Sequence, residues 1–171
     1  MSFRGFLSDC CEHWITYGPS NQLFSKLRWR FYTRNLMQGS GYFTSLTGLW
    51  IPCPNTVFIG QNVSINRYVI IDSCDAGRIR IGNNCLIGPY VLIRSADHNF
   101  NNPDVLFNKQ GHIGGDIIIE DNCWIGGHVT ITRNVTIGTG SVVGANSVVT
   151  KDIPPHSLAA GNPAKIIRFL I

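Results

Sequence analysis

Aliphatic residues recur at every sixth position across the second half of the chain. From Ile81 the sequence runs IGNNCL, IGPYVL and IRSADH, and after a break it resumes at Ile119 with IEDNCW, IGGHVT, ITRNVT, IGTGSV, VGANSV and VTKDIP. An aliphatic residue opens every one of these hexads. A period of six predicts a β-solenoid, in which short strands coil around a shared core.

The same period extends upstream and predicts how each coil closes. Hexads also open at Ile59, Ile65 and Ile71, and a short insertion over residues 73–80 separates them from the main run. The pattern resembles a left-handed parallel β-helix, in which three hexads form one triangular coil and the first-position aliphatic residues point inward. We expect the second-position glycines to occupy corners that need a tight backbone or a positive φ.

The predicted fold class is all-β: a left-handed parallel β-helix, or hexapeptide solenoid, with a short N-terminal helical segment and a C-terminal capping tail. Residues 1–50 are expected to form a helical or irregular cap. Residues 51–154 are expected to form the β-helix, from which a loop over residues 99–118 departs. Residues 155–171 are the tail, which would cover the open end of the coils.

Residues 21–36 show a helical spacing of apolar residues with basic residues between them. Ser20 or Asn21 is a suitable N-cap, and Gly39 is a stop signal. Such a helix most often packs its apolar face on its own domain, here against the end of the coils. The alternative is a weak association of this helix with an anionic membrane surface.

Composition narrows the classes of function. The chain is 44% apolar and 14% charged, against about 25% charged in an average domain, which suits stacked coils in an oligomer. The net charge of +4 is mild, and no reader motif accompanies it, so we expect no nucleic-acid partner. The cysteines show no metal or disulfide spacing, and the fifth-position Cys85 and Cys123 are expected to be buried thiols. Without a leader-like or membrane-spanning apolar run, we expect a cytoplasmic protein.

Three segments together carry a resemblance to a known family. They are IGNNCLIGPYVLIRSADHNF, IEDNCWIGGHVTI and IGTGSVVGANSVVTKDIPPHSLAAGNPAKIIR. From Ile59 to Arg168 the chain resembles hexapeptide-repeat acyltransferases of the maltose and galactoside acetyltransferase kind, and it is similar to the sugar O-acetyltransferases of surface-polysaccharide pathways. The resemblance implies acetyl-CoA as co-substrate, a small-molecule or glycan acceptor, no metal, and a homotrimer with sites in grooves between adjacent copies.

The resemblance assigns the general base to His98, which ends the coil 81–98 and begins the long excursion. Its neutral imidazole would take the proton of an acceptor hydroxyl while the oxygen attacks the thioester carbon of acetyl-CoA. Histidine suits this task because its side chain exchanges protons near neutral pH. Asp97 is a candidate to orient the imidazole, although the fifth position of its hexad is expected to point inward.

The resemblance also implies which residues bind acetyl-CoA. The backbone N–H of Gly127 would donate to the oxyanion of the tetrahedral intermediate. Trp124 would flank the pantetheine arm, and Ala145 would contact it through its backbone. The positions expected near the adenosine and phosphate end are Thr150, Lys151, Lys165 and Arg168.

For the acceptor, the resemblance implies Asn66 and, less directly, Asp72, together with His98. Residues 1–50 lie outside the resemblance, so the identity of the acceptor stays open. The expected function is O-acetylation of a sugar or polysaccharide precursor. The alternative is N-acetylation of an amino sugar, free or nucleotide-linked, because the same base serves both reactions. Two less favoured alternatives are a non-catalytic structural trimer and a zinc carbonic anhydrase with three converging histidines.

Overall fold

The computed structural model describes residues 3–74 and 76–171, and this part of the chain contains two α-helices and seventeen β-strands. The helices are α1 (Phe3–Tyr17) and α2 (Gln22–Thr33), and neither is long and apolar enough to cross a membrane. The strands are β1 (Phe43–Ser45), β2 (Val57–Ile59), β3 (Val63–Ile65), β4 (Ile70–Asp72), β5 (Ile79–Ile81), β6 (Leu86–Ile87), β7 (Leu92–Arg94), β8 (Ala96–His98), β9 (His112–Gly114), β10 (Ile117–Ile119), β11 (Trp124–Ile125), β12 (Thr130–Ile131), β13 (Val135–Ile137), β14 (Val142–Val143), β15 (Val148–Val149), β16 (Ser157–Ala160) and β17 (Lys165–Phe169).

Most strands form three parallel sheets, which we call walls, and the chain visits them in a fixed order. Wall 1 contains β2, β5, β10 and β13; wall 2 contains β1, β3, β6, β11, β14 and β16; wall 3 contains β4, β7, β12 and β15. In the unbroken coils each strand pairs with the strand three hexads later, as Trp124 does with Val142 and Thr130 with Val148. The prediction of an all-β chain with parallel strands is confirmed.

The aliphatic residues that open the hexads fill the interior between the walls. Each of those from Ile81 to Val149 is at most 2% exposed, and complete burial of such a side chain contributes about 1.5–3 kcal/mol. Cys85 and Cys123 are buried free thiols on adjacent coils, as predicted. Contact with the Cys85 sulfur, together with burial, raises the pKa of the Cys123 thiol well above its ordinary value. The first-position residues and these two thiols therefore face inward, as the period predicts.

The corners differ from the prediction in the position that takes the left-handed backbone. None of the second-position glycines has a positive φ; they are needed because a Cβ on Gly60 would lie 2.7 Å from the backbone of Gly82 on the next coil. Of the two reasons expected for glycine here, the tight approach of the backbone is the one that applies. Values of φ from 50° to 59° occur instead at the fourth position, where asparagine is common and tolerates them. The non-glycine residues concerned are Asn62, Tyr68, Cys74, Asn84, Tyr90, Asn122, His128, Asn134 and Asn146.

The predicted N-terminal helix is present as α2 but ends earlier than expected. The Asn21 side chain accepts a hydrogen bond from the Phe24 N–H at 3.0 Å and so caps the helix, which ends at Thr33. Its basic residues do not all face solvent. Arg28 is fully buried, and its guanidinium donates to the Ser45 carbonyl of β1 at 3.0 Å. The same guanidinium reaches the carbonyls of Ile15, Gly18 and Pro19, so it ties both helices to wall 2.

The excursion after β7 is a braced hairpin, not one long loop. β8 leaves wall 3 and pairs antiparallel with β9. The segment between these strands, residues 99–111, is irregular apart from a 3-10 helix at Phe107–Lys109. The chain re-enters wall 1 at Ile117. Of the predicted loop 99–118, two stretches are therefore strand. The last two strands extend wall 2: β16 pairs in parallel with β14, and β17 returns antiparallel along β16.

Candidate functional site

His98 is the last residue of β8, and its side chain is exposed. The antiparallel register places it directly opposite His112 of β9. The two imidazole rings are 4.4 Å apart between centroids and tilted by 34°. His98 thus projects from the point where the hairpin leaves the coils, in contact with His112, which the sequence placed in the loop as a candidate contact of the acceptor.

Asp97 does not point into the core as its position in the hexad suggests. β8 has already left wall 3, and Ser95 and Ala96 take the buried places instead. The Asp97 carboxylate pairs with the Arg133 Nε at 2.9 Å and keeps 44% of its side chain exposed. Because successive strand residues face opposite sides, Asp97 lies on the other face of β8 from His98. The expectation that Asp97 faces inward is wrong, and its bond with Arg133 speaks against its orienting the imidazole.

The hairpin that presents these histidines is held by hydrogen bonds within it and by close packing where β9 joins the coils. The Gln110 amide donates to the carbonyls of Asn102 and Val105 at 2.9 and 2.7 Å and accepts from the Asn102 N–H at 3.1 Å. Where β9 joins the coils, a Cβ on Gly114 would lie 1.5 Å from the Ala76 carbonyl oxygen, so only glycine fits at this position. The segment is therefore held by specific contacts, which its length alone does not predict.

Gly127 lies in the corner between walls 2 and 3, separated from the end of β11 by Gly126. Its N–H donates to no protein acceptor within the described residues, and the same holds for Ala145 one coil further. The two amides lie close together: a Cβ on Gly126, the residue before Gly127, would be 2.6 Å from the Ala145 nitrogen. The corner thus offers two backbone donors on consecutive coils, as a thioester oxygen and a pantetheine amide would require.

Trp124 stands on the outer face of wall 2 and is 55% exposed. It pairs with Leu86 on one side and Val142 on the other, and Val142 pairs in turn with Leu158. Leu158 lies opposite Arg168 of β17. Three strand spacings of about 4.8 Å therefore separate Trp124 from Arg168. The wall forms an apolar track that ends in basic residues, with Lys165 also exposed on β17. Thr150 and Lys151 are exposed too, but they follow β15 at the far end of wall 3 and do not lie on this track.

Asn66 occupies the same corner column as Gly126, two coils away, and its side-chain oxygen accepts from the Arg67 N–H at 2.8 Å. The structure therefore brings Asn66, Trp124, Gly127 and Ala145 along one edge of the molecule. Asp72 is different: it is only 6% exposed, and its carboxylate binds the Arg94 guanidinium and accepts from the Cys74 N–H at 2.9 Å. These internal bonds leave Asp72 poorly placed for an acceptor.

The same corner carries a stack of rings that sequence reasoning missed. Tyr68, Tyr90 and His128 occupy the fourth position on successive coils, with ring centroids 5.2 and 4.7 Å apart. The recurrence of a ring at one hexad position was the available signal.

His98 lies away from this edge, because it follows the far end of wall 3. Six residues of extended chain, roughly 15–20 Å, separate the two corners, so one copy of the chain does not bring His98 and Gly127 together.

Comparisons with known proteins place this geometry among transferases. The sequence profile described as bacterial transferase hexapeptide (six repeats) matches residues 116–151. A Staphylococcus aureus (strain MRSA252) relative is 44% identical over 131 residues, which are 73% of this chain and 64% of the relative. The galactoside O-acetyltransferase of Escherichia coli K12 is 39% identical over 124 residues, with 70% of this chain and 60% of that enzyme covered. The chain thus spans less than two thirds of the length of these relatives.

Solved structures cover more of both chains. The hexapeptide-repeat acetyltransferase of Vibrio cholerae O1 biovar eltor, complexed with acetyl coenzyme A, is 32% identical, with a TM-score of 0.78 over 96% of this chain and 85% of that one. A maltose O-acetyltransferase from Clostridium difficile 630 is 29% identical, with a TM-score of 0.82 over 97% and 86% of the two chains.

Proposed function

Because this chain belongs to the hexapeptide-repeat transferase family, we propose that it is an acetyl-CoA-dependent O-acetyltransferase acting on a hydroxyl of a sugar or polysaccharide precursor. The Vibrio cholerae relative was solved with acetyl coenzyme A, and the Escherichia coli and Clostridium difficile relatives are named as galactoside and maltose O-acetyltransferases. The proposal carries that donor and that class of acceptor over to this chain. Acetyl-CoA as donor also favours a cytoplasmic location.

In this proposal His98 is the general base. Its imidazole removes the proton of the acceptor hydroxyl as the oxygen forms a bond to the thioester carbon, and the Gly127 N–H donates to the carbonyl oxygen as it gains charge. The carbon–sulfur bond then breaks, the acetyl group stays on the acceptor oxygen, and the proton held by His98 passes to the CoA thiolate. Transfer is direct, with no covalent enzyme intermediate.

The observation that carries the proposal is the pair of unbonded amides at Gly127 and Ala145, beside the exposed ring of Trp124. An acyl-CoA site needs donors for the thioester oxygen and for the amides of the pantetheine arm, together with an apolar surface for the arm. The basic residues at the end of wall 2, Lys165 and Arg168, suit the phosphates. Thr150 and Lys151, which follow β15 at the far end of wall 3, remain proposed contacts of the adenosine and phosphate end.

We further propose that the coil is a left-handed β-helix and that the active assembly is a homotrimer. His98 and Gly127 lie at opposite ends of wall 3, so a complete site needs the hairpin of one copy beside the corner of another. Asn66, on the same edge as Gly127, would contact the acceptor. Exposed Leu23, with Lys26 and Arg30 on α2, forms a surface that would bind an anionic membrane weakly if the acceptor is lipid-linked.

The test is acetyl transfer from acetyl-CoA to a panel of acceptors: galactosides, maltose, nucleotide sugars, lipid-linked oligosaccharides and the matching amino sugars. The acetylated product is followed by mass spectrometry, since exposed Cys10 and Cys11 would react with thiol reagents. We expect O-acetylated product with at least one glycan, and a loss of about 10²–10⁴-fold in His98→Ala.

Three results would each change a different part of the proposal. Acetylation confined to amino groups would replace the proposal with its N-acetyl alternative. Activity retained by His98→Ala would remove the assigned base. A stable monomer in sedimentation, with full activity, would remove the site between copies.

A further inference from the structure

We infer that His112 is the positioning residue for the catalytic base, an inference that rests on the proposed role of His98. A general base needs its ring held in the orientation that takes the acceptor proton. The contact that the structure gives the His98 imidazole is the ring of His112, at 4.4 Å between centroids. His112 thus does the work often given to a carboxylate beside a catalytic histidine.

The neighbouring carboxylate does not serve this purpose. Asp97 lies on the opposite face of β8 and is bonded to Arg133 at 2.9 Å. His112, in contrast, is the direct cross-strand partner of His98 and therefore lies on the same face. Directly opposed residues on antiparallel strands have Cβ atoms roughly 4.5–5.5 Å apart, so two flat rings at these positions pack against each other.

The position of His112 is itself fixed from both sides. On the loop side, the Asn99 N–H bonds to the Gly111 carbonyl at 3.0 Å, and Gln110 braces the residues between. On the wall side, the Gly115 N–H bonds to the Ser95 carbonyl at 2.9 Å, and Gly114 packs against Ala76 without room for a Cβ. A ring on such a strand can restrict the rotamers of its neighbour, whereas a ring on a free loop cannot.

The test compares His112→Ala, which removes the ring, with His112→Phe, which keeps a ring and removes its nitrogens. In the acetyl-transfer assay we expect kcat of His112→Ala to fall by about tenfold or more through misorientation of the base, with the KM for acetyl-CoA unchanged. His112→Phe should stay within about threefold of the wild type. In a His98→Ala background, His112→Ala should cause no further loss, because the ring that it positions is gone.

A second readout needs no acceptor. The three-bond couplings that report χ1 of His98, measured by NMR on selectively labelled protein, should show one rotamer in the wild type and in His112→Phe, and an average in His112→Ala. Asp97→Asn is the matched control: it removes the charge that pairs with Arg133 on the other face of β8 and should leave kcat within about twofold.

The outcomes separate this inference from the proposed function. Activity retained by His98→Ala defeats the assignment of the base. Loss in His98→Ala with full activity and one His98 rotamer in His112→Ala defeats only the inference. A loss in Asp97→Asn equal to that in His112→Ala would show that integrity of the hairpin, and not ring packing, is what matters, and would also overturn it. Equal losses in His112→Phe and His112→Ala would do the same.

Discussion

The corner between walls 1 and 2 and the corner between walls 2 and 3 come from the same six-residue repeat, yet they treat their backbone amides differently. In the first corner, the Gln61 N–H bonds to the Asn83 side chain at 2.8 Å, and the Asn83 N–H bonds to the Asp121 carboxylate at 2.7 Å. In the second corner, the third position holds Gly127 and Ala145, which carry no side-chain acceptor, and the amides stay open. At these coils the third residue of the hexad supplies an acceptor in the first corner and none in the second.

The largest effect is expected from closing the open corner between walls 2 and 3. Ala145→Asn places an acceptor where Asn83 and Asp121 stand in the closed corner, so its side chain should bond to the Gly127 N–H. We expect kcat for acetyl transfer to fall by about 10²-fold, the usual effect of losing one oxyanion donor, with little change in thermal stability.

The matched control for this variant is Ala145→Val, which adds similar bulk without an acceptor. Steady-state kinetics with the best acceptor of the panel distinguishes the two variants. If they lose activity equally, crowding explains the effect, and the Gly127 amide is not the oxyanion donor.

A smaller effect is expected from the apolar face beside the open corner. Trp124→Ala should raise the KM for acetyl-CoA about tenfold, because burial of the indole against the pantetheine arm contributes on the order of 1.5 kcal/mol, while kcat changes little. Trp124→Phe keeps an aromatic surface and should recover most of the affinity. A fall in kcat at unchanged KM would show instead that the ring acts on the reaction step.

The walls and their buried positions were predictable because core burial repeats with the period of the chain. The open corner was also readable, since Pro89, Gly127 and Ala145 hold the third position at which the hexads of the first corner carry Asn, Asp or Thr. The left-handed fourth position could have been recognised from its asparagines. In each case the signal is local and repeats from coil to coil.

Other features depend on contacts that no local pattern encodes. Arg28 lies among basic residues on α2, yet its burial follows from carbonyls at the ends of α1 and β1. α1 was predicted only as part of a helical or irregular cap over residues 1–50, although its apolar residues recur three and four positions apart between Phe3 and Ile15. The pairing of His98 with His112 depends on a register across the irregular segment 99–111, which the length of that segment does not determine.

The opposite change, removal of an acceptor, can be made in the closed corner between walls 1 and 2. Asp121→Ala removes the acceptor of the Asn83 N–H and of its side-chain amide, which lies 3.2 Å from the second carboxylate oxygen. Losing these exposed bonds should lower Tm by about 2–4 °C and leave acetyl transfer unchanged. Scanning calorimetry and the kinetic assay check the two halves of this expectation. A loss of activity at unchanged Tm would mean that this corner also contacts substrate.

The smallest effect is the pH dependence that the same carboxylate gives to the closed corner. The hydrogen bond from the Asn83 backbone, followed by that from its side chain, lowers the pKa of the Asp121 carboxyl below its ordinary value. A carboxyl with a lowered pKa in the folded chain stabilises it above the unfolded pKa of about 3.9, and this contribution disappears as the pH falls through the folded pKa. Asp121→Asn keeps an acceptor but does not titrate, so its Tm deficit relative to the wild type should shrink between pH 6 and pH 3. Because the carboxyl is exposed, solvent screening keeps the deficit small. A deficit that stays constant over this range would assign the stability of the corner to geometry alone and not to the charge of Asp121.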